Sequence, residues 1–125
     1  MSDTISVSIP ARTSHVALLR AAASALAARL DFPIDRITEL QIAVDEVCSR
    51  LMAVSDGASR IRMEFRVLDE GAIGLRATVD GARREDKELL SEWSRVILET
   101  IGREVRFDYG DSQTALSLEV ARAGG

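Results

Sequence analysis

The stretch from Arg60 to Val79 leaves the chain little freedom. Ile61, Met63, Phe65 and Val67 alternate with Arg60, Arg62, Glu64 and Arg66 along Arg60–Leu68. After Asp69-Glu70-Gly71 the alternation resumes, with Ile73, Leu75, Ala77 and Val79 set against Arg76 and Thr78. A period of two puts the apolar residues on one side of each strand and the charged ones on the other. Asp-Glu-Gly between the runs reads as a hairpin turn. A sheet with one apolar face must cover that face and leave the other to water, so the expected fold is a two-layer α/β (α+β) sandwich. The outward Arg60, Arg62, Arg66 and Arg76 form a basic patch, which suits an acidic partner and a solvated sheet face equally well.

The rest of the chain supplies the covering layer. Thr4–Ile9 alternates as a half-buried strand, with Ile5, Val7 and Ile9 on one side, and Pro10 ends it. Thr13 or Ser14 is placed to cap a helix running to about Leu30, with Val16, Leu19, Ala23, Leu26 and Leu30 as its stripe. Its many alanines make it slim. It packs on its own sheet, and a slim helix also admits a second subunit, which keeps a homodimer open. Pro33 forces Phe32 out of the helical region, Asp35 suits a helix N-terminus, and a second helix runs to about Ala53. Ser55-Asp56-Gly57 is expected to be a loop. Leu89, Trp93, Val96, Ile97 and Ile101 predict a third helix. Val105, Phe107 and Tyr109, a turn at Gly110-Asp111-Ser112, and Leu116, Leu118 and Val120 predict a closing hairpin before a frayed tail, Ala121–Gly125. The predicted order is β-α-α-β-β-α-β-β, with no internal repeat.

With 125 residues, 46% of them hydrophobic and 29% charged, the expectation is one domain over residues 1–125. No run is long and apolar enough to span a membrane, and Met1-Ser2-Asp3-Thr4 has no secretory pattern, so a cytoplasmic location is expected. A net charge of −4 disfavours nucleic acid as a partner. Fifteen of the sixteen basic residues are Arg, from base composition or from use at protein interfaces. The single cysteine, Cys48, excludes an internal disulfide and reads as a buried small hydrophobe. The lone His15 has no second histidine with which to hold a metal.

The second helix carries the candidate chemistry. Leu40, Val44, Val47 and Leu51 form its apolar stripe, while Ile42, Glu46 and Arg50 share another face. From spacing alone, Glu46 is either half of an i,i+4 ion pair with Arg50 or a carboxylate available for acid–base or metal chemistry.

The segment Ala43-Val44-Asp45-Glu46-Val47-Cys48 resembles the first nucleotide-site helix of the RsbW-like anti-sigma factors and serine kinases of the GHKL (Bergerat-fold) group. Within that group it looks most like the mycobacterial type of anti-sigma-F factor. The family pattern is an apolar run followed by Ala-Val-x-Glu-Ala/Val-x-x-Asn. The resemblance implies that Glu46 is the base of phosphate transfer, and that Arg50 stands where the family has its magnesium-holding Asn. It also implies a mostly antiparallel sheet with helices on one face, in the element order already read.

Other parts of the implied nucleotide site depart from the pattern. Asp80-Gly81-Ala82-Arg83 stands for the adenine-reading Asp-x-Gly-x-Gly, but its second glycine is missing and Asp80 falls one position out of register. Glu92-Trp93-Ser94-Arg95 replaces the glycine turn that would bring backbone amides to phosphate, and the lid before it is short. A cation at Arg50 cannot ligate Mg²⁺. Arg83 and Arg84 are the lid residues best able to fork onto a phosphate. No cofactor is therefore expected, with magnesium-ATP binding at most weak through Arg50, Asp80 and Gly81. The resemblance implies an anti-sigma factor that sequesters an alternative sigma factor of the stress or sporulation type and is relieved by a STAS-type anti-anti-sigma protein. The alternative is an active serine kinase that phosphorylates that antagonist.

Overall fold

The computed structural model describes residues 3–56, 58–83, 91–110 and 112–123. A five-stranded sheet contains β1 (Thr4–Pro10), β3 (Arg60–Val67), β4 (Ile73–Asp80), β6 (Arg103–Tyr109) and β7 (Gln113–Val120). The strands lie in the order β1-β3-β4-β7-β6, every neighbour antiparallel. Three helices, α1 (Val16–Arg29), α2 (Ile34–Val54) and α3 (Glu92–Ile101), cover one face. Central α2 packs on β4 and β7, α1 packs beside it and against β1, and α3 lies between α2 and β6. This is the expected antiparallel α+β sandwich.

The alternation along Arg60–Val79 sets the layers. Ile61, Met63, Phe65, Ile73, Leu75, Ala77 and Val79 are all buried, in register across the hairpin. Arg62 and Arg66 are exposed on the open face and Arg76 is half-exposed there. Leu40, Val44, Val47 and Leu51 meet the sheet fully buried from above. Among the described residues no helix is long and apolar enough to cross a membrane.

Several local expectations change. Neither Thr13 nor Ser14 caps α1; a 3-10 turn, Thr13–His15, feeds into it without a side-chain cap. α2 begins at Ile34, one residue before Asp35, because Pro33 already fixes the preceding backbone, and Asp35 Oδ1 accepts from the Arg36 N–H at 3.0 Å. Ser55-Asp56 is not a loop. It is β2, a two-residue strand paired with β5 (Ala82–Arg83), so the exit of α2 and the end of β4 are tied together. The third helix buries Ser94, Leu98 and Ile101, leaving Trp93 and Val96 exposed, so its predicted stripe is turned partly away from the core. Leu89 and Arg84 fall outside the described residues.

Candidate functional site

α2 and α3 meet at Glu46. The side chain is half-buried, and its Oε1 accepts a hydrogen bond from Ser94 Oγ at 2.5 Å. Ser94 is buried at 1% exposure on the first turn of α3. Its Oγ receives the Ser91 hydroxyl at 3.0 Å, and its N–H donates to Ser91 Oγ at 3.2 Å. Ser91 is the N-cap of α3. A short relay thus runs from the helix cap through two hydroxyls to the Glu46 carboxylate. It consumes one of the amides that a helix N-terminus offers to an anion, and Glu92 adds a negative charge in the same turn.

Arg50, one turn beyond Glu46, is half-buried. Asp80 lies elsewhere. It follows Arg76 and Thr78 in the period of β4 and shares their open face, opposite the layer that carries Glu46. Its Oδ1 accepts from the Ser59 and Arg60 backbone N–H groups, each at 2.9 Å, and its Oδ2 takes the Ser59 hydroxyl. The Ser59 hydroxyl and these amides hold its carboxyl down at about 2. Gly81 follows with φ 106°, turning the chain from β4 into β5, and its N–H donates to Ser112 O at 3.1 Å. Arg83 belongs to β5. Glu46 and Asp80 are therefore separated by the sheet. Among the described residues no group of three His, Cys, Asp or Glu side chains could hold a metal.

Some polar residues carried no sequence signal. Ser55 Oγ and Thr114 Oγ1 are buried with no hydrogen-bond partner among the described residues. Both lie at the β4–β5 end of the sheet, since Thr114 pairs with Val79 and Ser55 with Arg83. Ser55 is nine residues beyond Glu46, about 13 Å along the helix. Arg36, 6% exposed, donates to Ala121 O at 2.8 and 3.1 Å and to Ile101 O at 3.1 Å, and it meets Glu39 at 3.3 Å. It appears in sequence only as one arginine among fifteen. Cys48 is buried as expected, and desolvation, followed by the charge of Asp45, pushes its thiol up to about 12.

Comparison with known proteins places these features in a family context. The family model described as histidine kinase-like ATPase domain matches residues 9–120. The serine-protein kinase RsbW of Bacillus subtilis is 29% identical over 82 residues, 56% of this chain and 51% of that protein. The anti-sigma-F factor RsbW of Mycobacterium tuberculosis is 33% identical over 78 residues, 61% of this chain and 46% of that protein. The serine-protein kinase RsbW of Bacillus thuringiensis is 29% identical over 80 residues, 55% and 50% of the two chains. The chain spans about half the length of the curated relatives it matches.

Proposed function

The chain belongs to the histidine kinase-like ATPase domain family, and on that premise we propose that it is a cytoplasmic anti-sigma factor. It binds and sequesters an alternative sigma factor of the stress or sporulation type, and a STAS-type anti-anti-sigma protein relieves it. The likeness to the mycobacterial anti-sigma-F factor supports the partner class. The observation that favours binding over catalysis is the Ser94–Glu46 hydrogen bond.

Phosphate transfer needs a carboxylate free to take a hydroxyl proton, a held magnesium ion and amides aimed at the phosphates. Here the carboxylate is tied to the helix that should supply the amides, and that helix is capped by its own serine. Asp80 faces the other side of the sheet, engaged by Ser59 and Arg60. These residues do not fit magnesium-ATP. A serine kinase that uses Glu46 as base is the second reading, favoured by the resemblance that puts Glu46 at the family's base position and by the name of the Bacillus relatives. It requires Ser94 to release the carboxylate.

The test is transcription in vitro with each alternative sigma factor of the host. The chain is expected to inhibit one of them stoichiometrically without nucleotide, and Glu46→Ala to inhibit as well as wild type. Unimpaired transcription in every case overturns the proposal. Phosphorylation of a STAS antagonist by wild type, abolished in Glu46→Ala, selects the kinase reading instead.

A further inference from the structure

The sheet has two free edges, and they differ. β6 is guarded: Arg103, Glu104, Arg106 and Asp108 stand along it, and its pairing with β7 shifts register between Arg103 and Arg106. Charges and broken register are common means of keeping an edge from pairing. β1 has neither. Thr4–Pro10 contains no charged side chain and keeps one register with β3 throughout. Val67 N–H donates to Asp3 O and Ala11 N–H to Ser59 O. The odd-numbered residues of β1 therefore bond to β3, and the even-numbered ones point their backbone groups outward. Among the described residues no group takes the N–H and C=O of Thr4 and Ser6. The Ser8 carbonyl accepts from Arg60 Nη2 at 3.1 Å and keeps a second lone pair. Ile5, 39% exposed, and half-buried Val7 face the helical layer beside this edge.

α1 packs on β1 at the same edge. Arg20 and Ser24 turn toward α2, where they meet Asp45 and Gln41, and Val16, Leu19, Ala23 and Leu26 are buried. At about 100° per residue, the flank away from α2 carries Leu18, Ala22 and Ala25, with Arg29 at its end. Leu18 is 58% exposed and Ala25 is exposed as well. We propose that two copies of the chain pair through this edge, β1 against β1 and α1 against α1, into one ten-stranded sheet under six helices. An antiparallel two-fold must set even-numbered residues opposite even-numbered ones. Centred on Ser6, it sets Ser6 against Ser6 and Thr4 against Ser8 on both sides, so all three residues are engaged. Centred on Val7, it would set Thr4 against Pro10, which has no N–H. The Ser6 register also lays Ile5 against Val7 of the other copy on the helical side. The same axis turns the two α1 flanks face to face, and alanines let helices approach to about 8 Å. This second contact selects the occupant. A lone strand would cover the edge of β1 and leave the Leu18–Ala25 flank in water, whereas a second copy brings the matching strand and the matching flank together. The pairing is independent of the anti-sigma reading.

Sedimentation equilibrium of the full chain should show reversible association toward twice 13.6 kDa. Ser6→Lys sets two like charges on the axis, and Leu18→Glu charges the α1 flank. Both positions are exposed, and each variant should weaken association about tenfold or more with unchanged circular dichroism. Ser6→Cys reads the register itself. Opposed residues of a hydrogen-bonded pair lie about 5.5 Å apart at Cα, within reach of a disulfide. This variant should therefore oxidise to a covalent dimer far faster than Ser8→Cys, which faces Thr4. Cys48 is buried and does not compete. Ser6→Cys nearly keeps the size of the side chain and carries the test if a charged variant fails to fold. A chain that is monomeric at about 1 mM overturns the proposal. So does a dimer that survives both charged variants, or one in which Ser6→Cys links no faster than Ser8→Cys, since the contact then lies elsewhere. None of these outcomes bears on inhibition of a sigma factor.

Discussion

Arg36 joins three separate ends of the fold: the start of α2, the last carbonyl of α3 and the exit of β7 at Ala121. Carbonyls at the end of a helix lack partners within it, and a guanidinium fork satisfies two sites at once where an ammonium satisfies fewer. Arg36→Ala is expected to cost about 2–3 kcal/mol in urea unfolding, because buried acceptors lose a charged donor. Arg36→Lys should recover less than half of that. Asp80 makes a different prediction, in pH. Its folded pKa falls from the ordinary 3.8 to about 2 because Ser59 and the Ser59 and Arg60 amides bind the ionised form. A depressed carboxylate stabilises the fold above its unfolded pKa and loses that contribution as pH falls through the folded value. The stability difference between wild type and Asp80→Asn should therefore be constant above pH 5, then shrink between about 4 and 2, read from urea midpoints at each pH. A difference that does not change over that range overturns the assignment.

At the scale of elements, α1 and α3 end in contrasting ways. α1 stops in a left-handed cap: Asp31 sits at φ 62°, its N–H reaches Ala28 O at 3.2 Å, and Phe32 N–H reaches Ala27 O at 3.0 Å. Glycine is the residue this geometry favours. Asp31→Gly is expected to stabilise the chain by roughly 0.5–1 kcal/mol, seen as a rise in Tm. α3 stops at Gly102 in extended backbone, where an added Cβ would lie 2.5 Å from Glu119 O. Gly102→Ala must push β7 away from the end of α3, and a loss of about 1–3 kcal/mol in urea unfolding is expected. One substitution introduces a glycine and the other removes one, and the two should move stability in opposite directions.

For the whole molecule, magnesium-ATP separates binding from catalysis. A ligand bound only by the folded state at a hundred times its Kd adds about 2.7 kcal/mol and raises Tm by several degrees. The links among Glu46, Ser94 and Ser91 must open before a nucleotide's phosphates and metal find donors there. The expected result by differential scanning fluorimetry is no magnesium-dependent rise in Tm at millimolar ATP. Ser94→Ala frees the carboxylate without adding a metal ligand, so it should leave that result unchanged. A large magnesium-dependent shift would mean that other residues rebuild the site, with Arg83 and Arg84 the first to substitute.

Alternation and helical period by themselves determined the order of the three helices and of the five strands of the main sheet, the one-sided sheet and most of the core, because burial of an apolar face is a local, periodic demand. Arg60–Val79 fixed the layers, and Leu40, Val44, Val47 and Leu51 fixed the inner face of α2. Tertiary structure decided what depends on which distant residues meet. Glu46 lies on its predicted helix, yet its partner Ser94 is 48 residues away in sequence. Asp80 lies on the face that its parity with Arg76 and Thr78 dictates, yet only the fold brings the Ser59 and Arg60 amides to its carboxylate. Trp93 and Val96 obey a helical period, and only the packing of α3 shows that this part of the stripe looks outward. Arg36 and the orphaned Thr114 are equally silent in sequence: a single polar side chain carries no period, so only the assembled fold reveals what it satisfies or leaves unsatisfied.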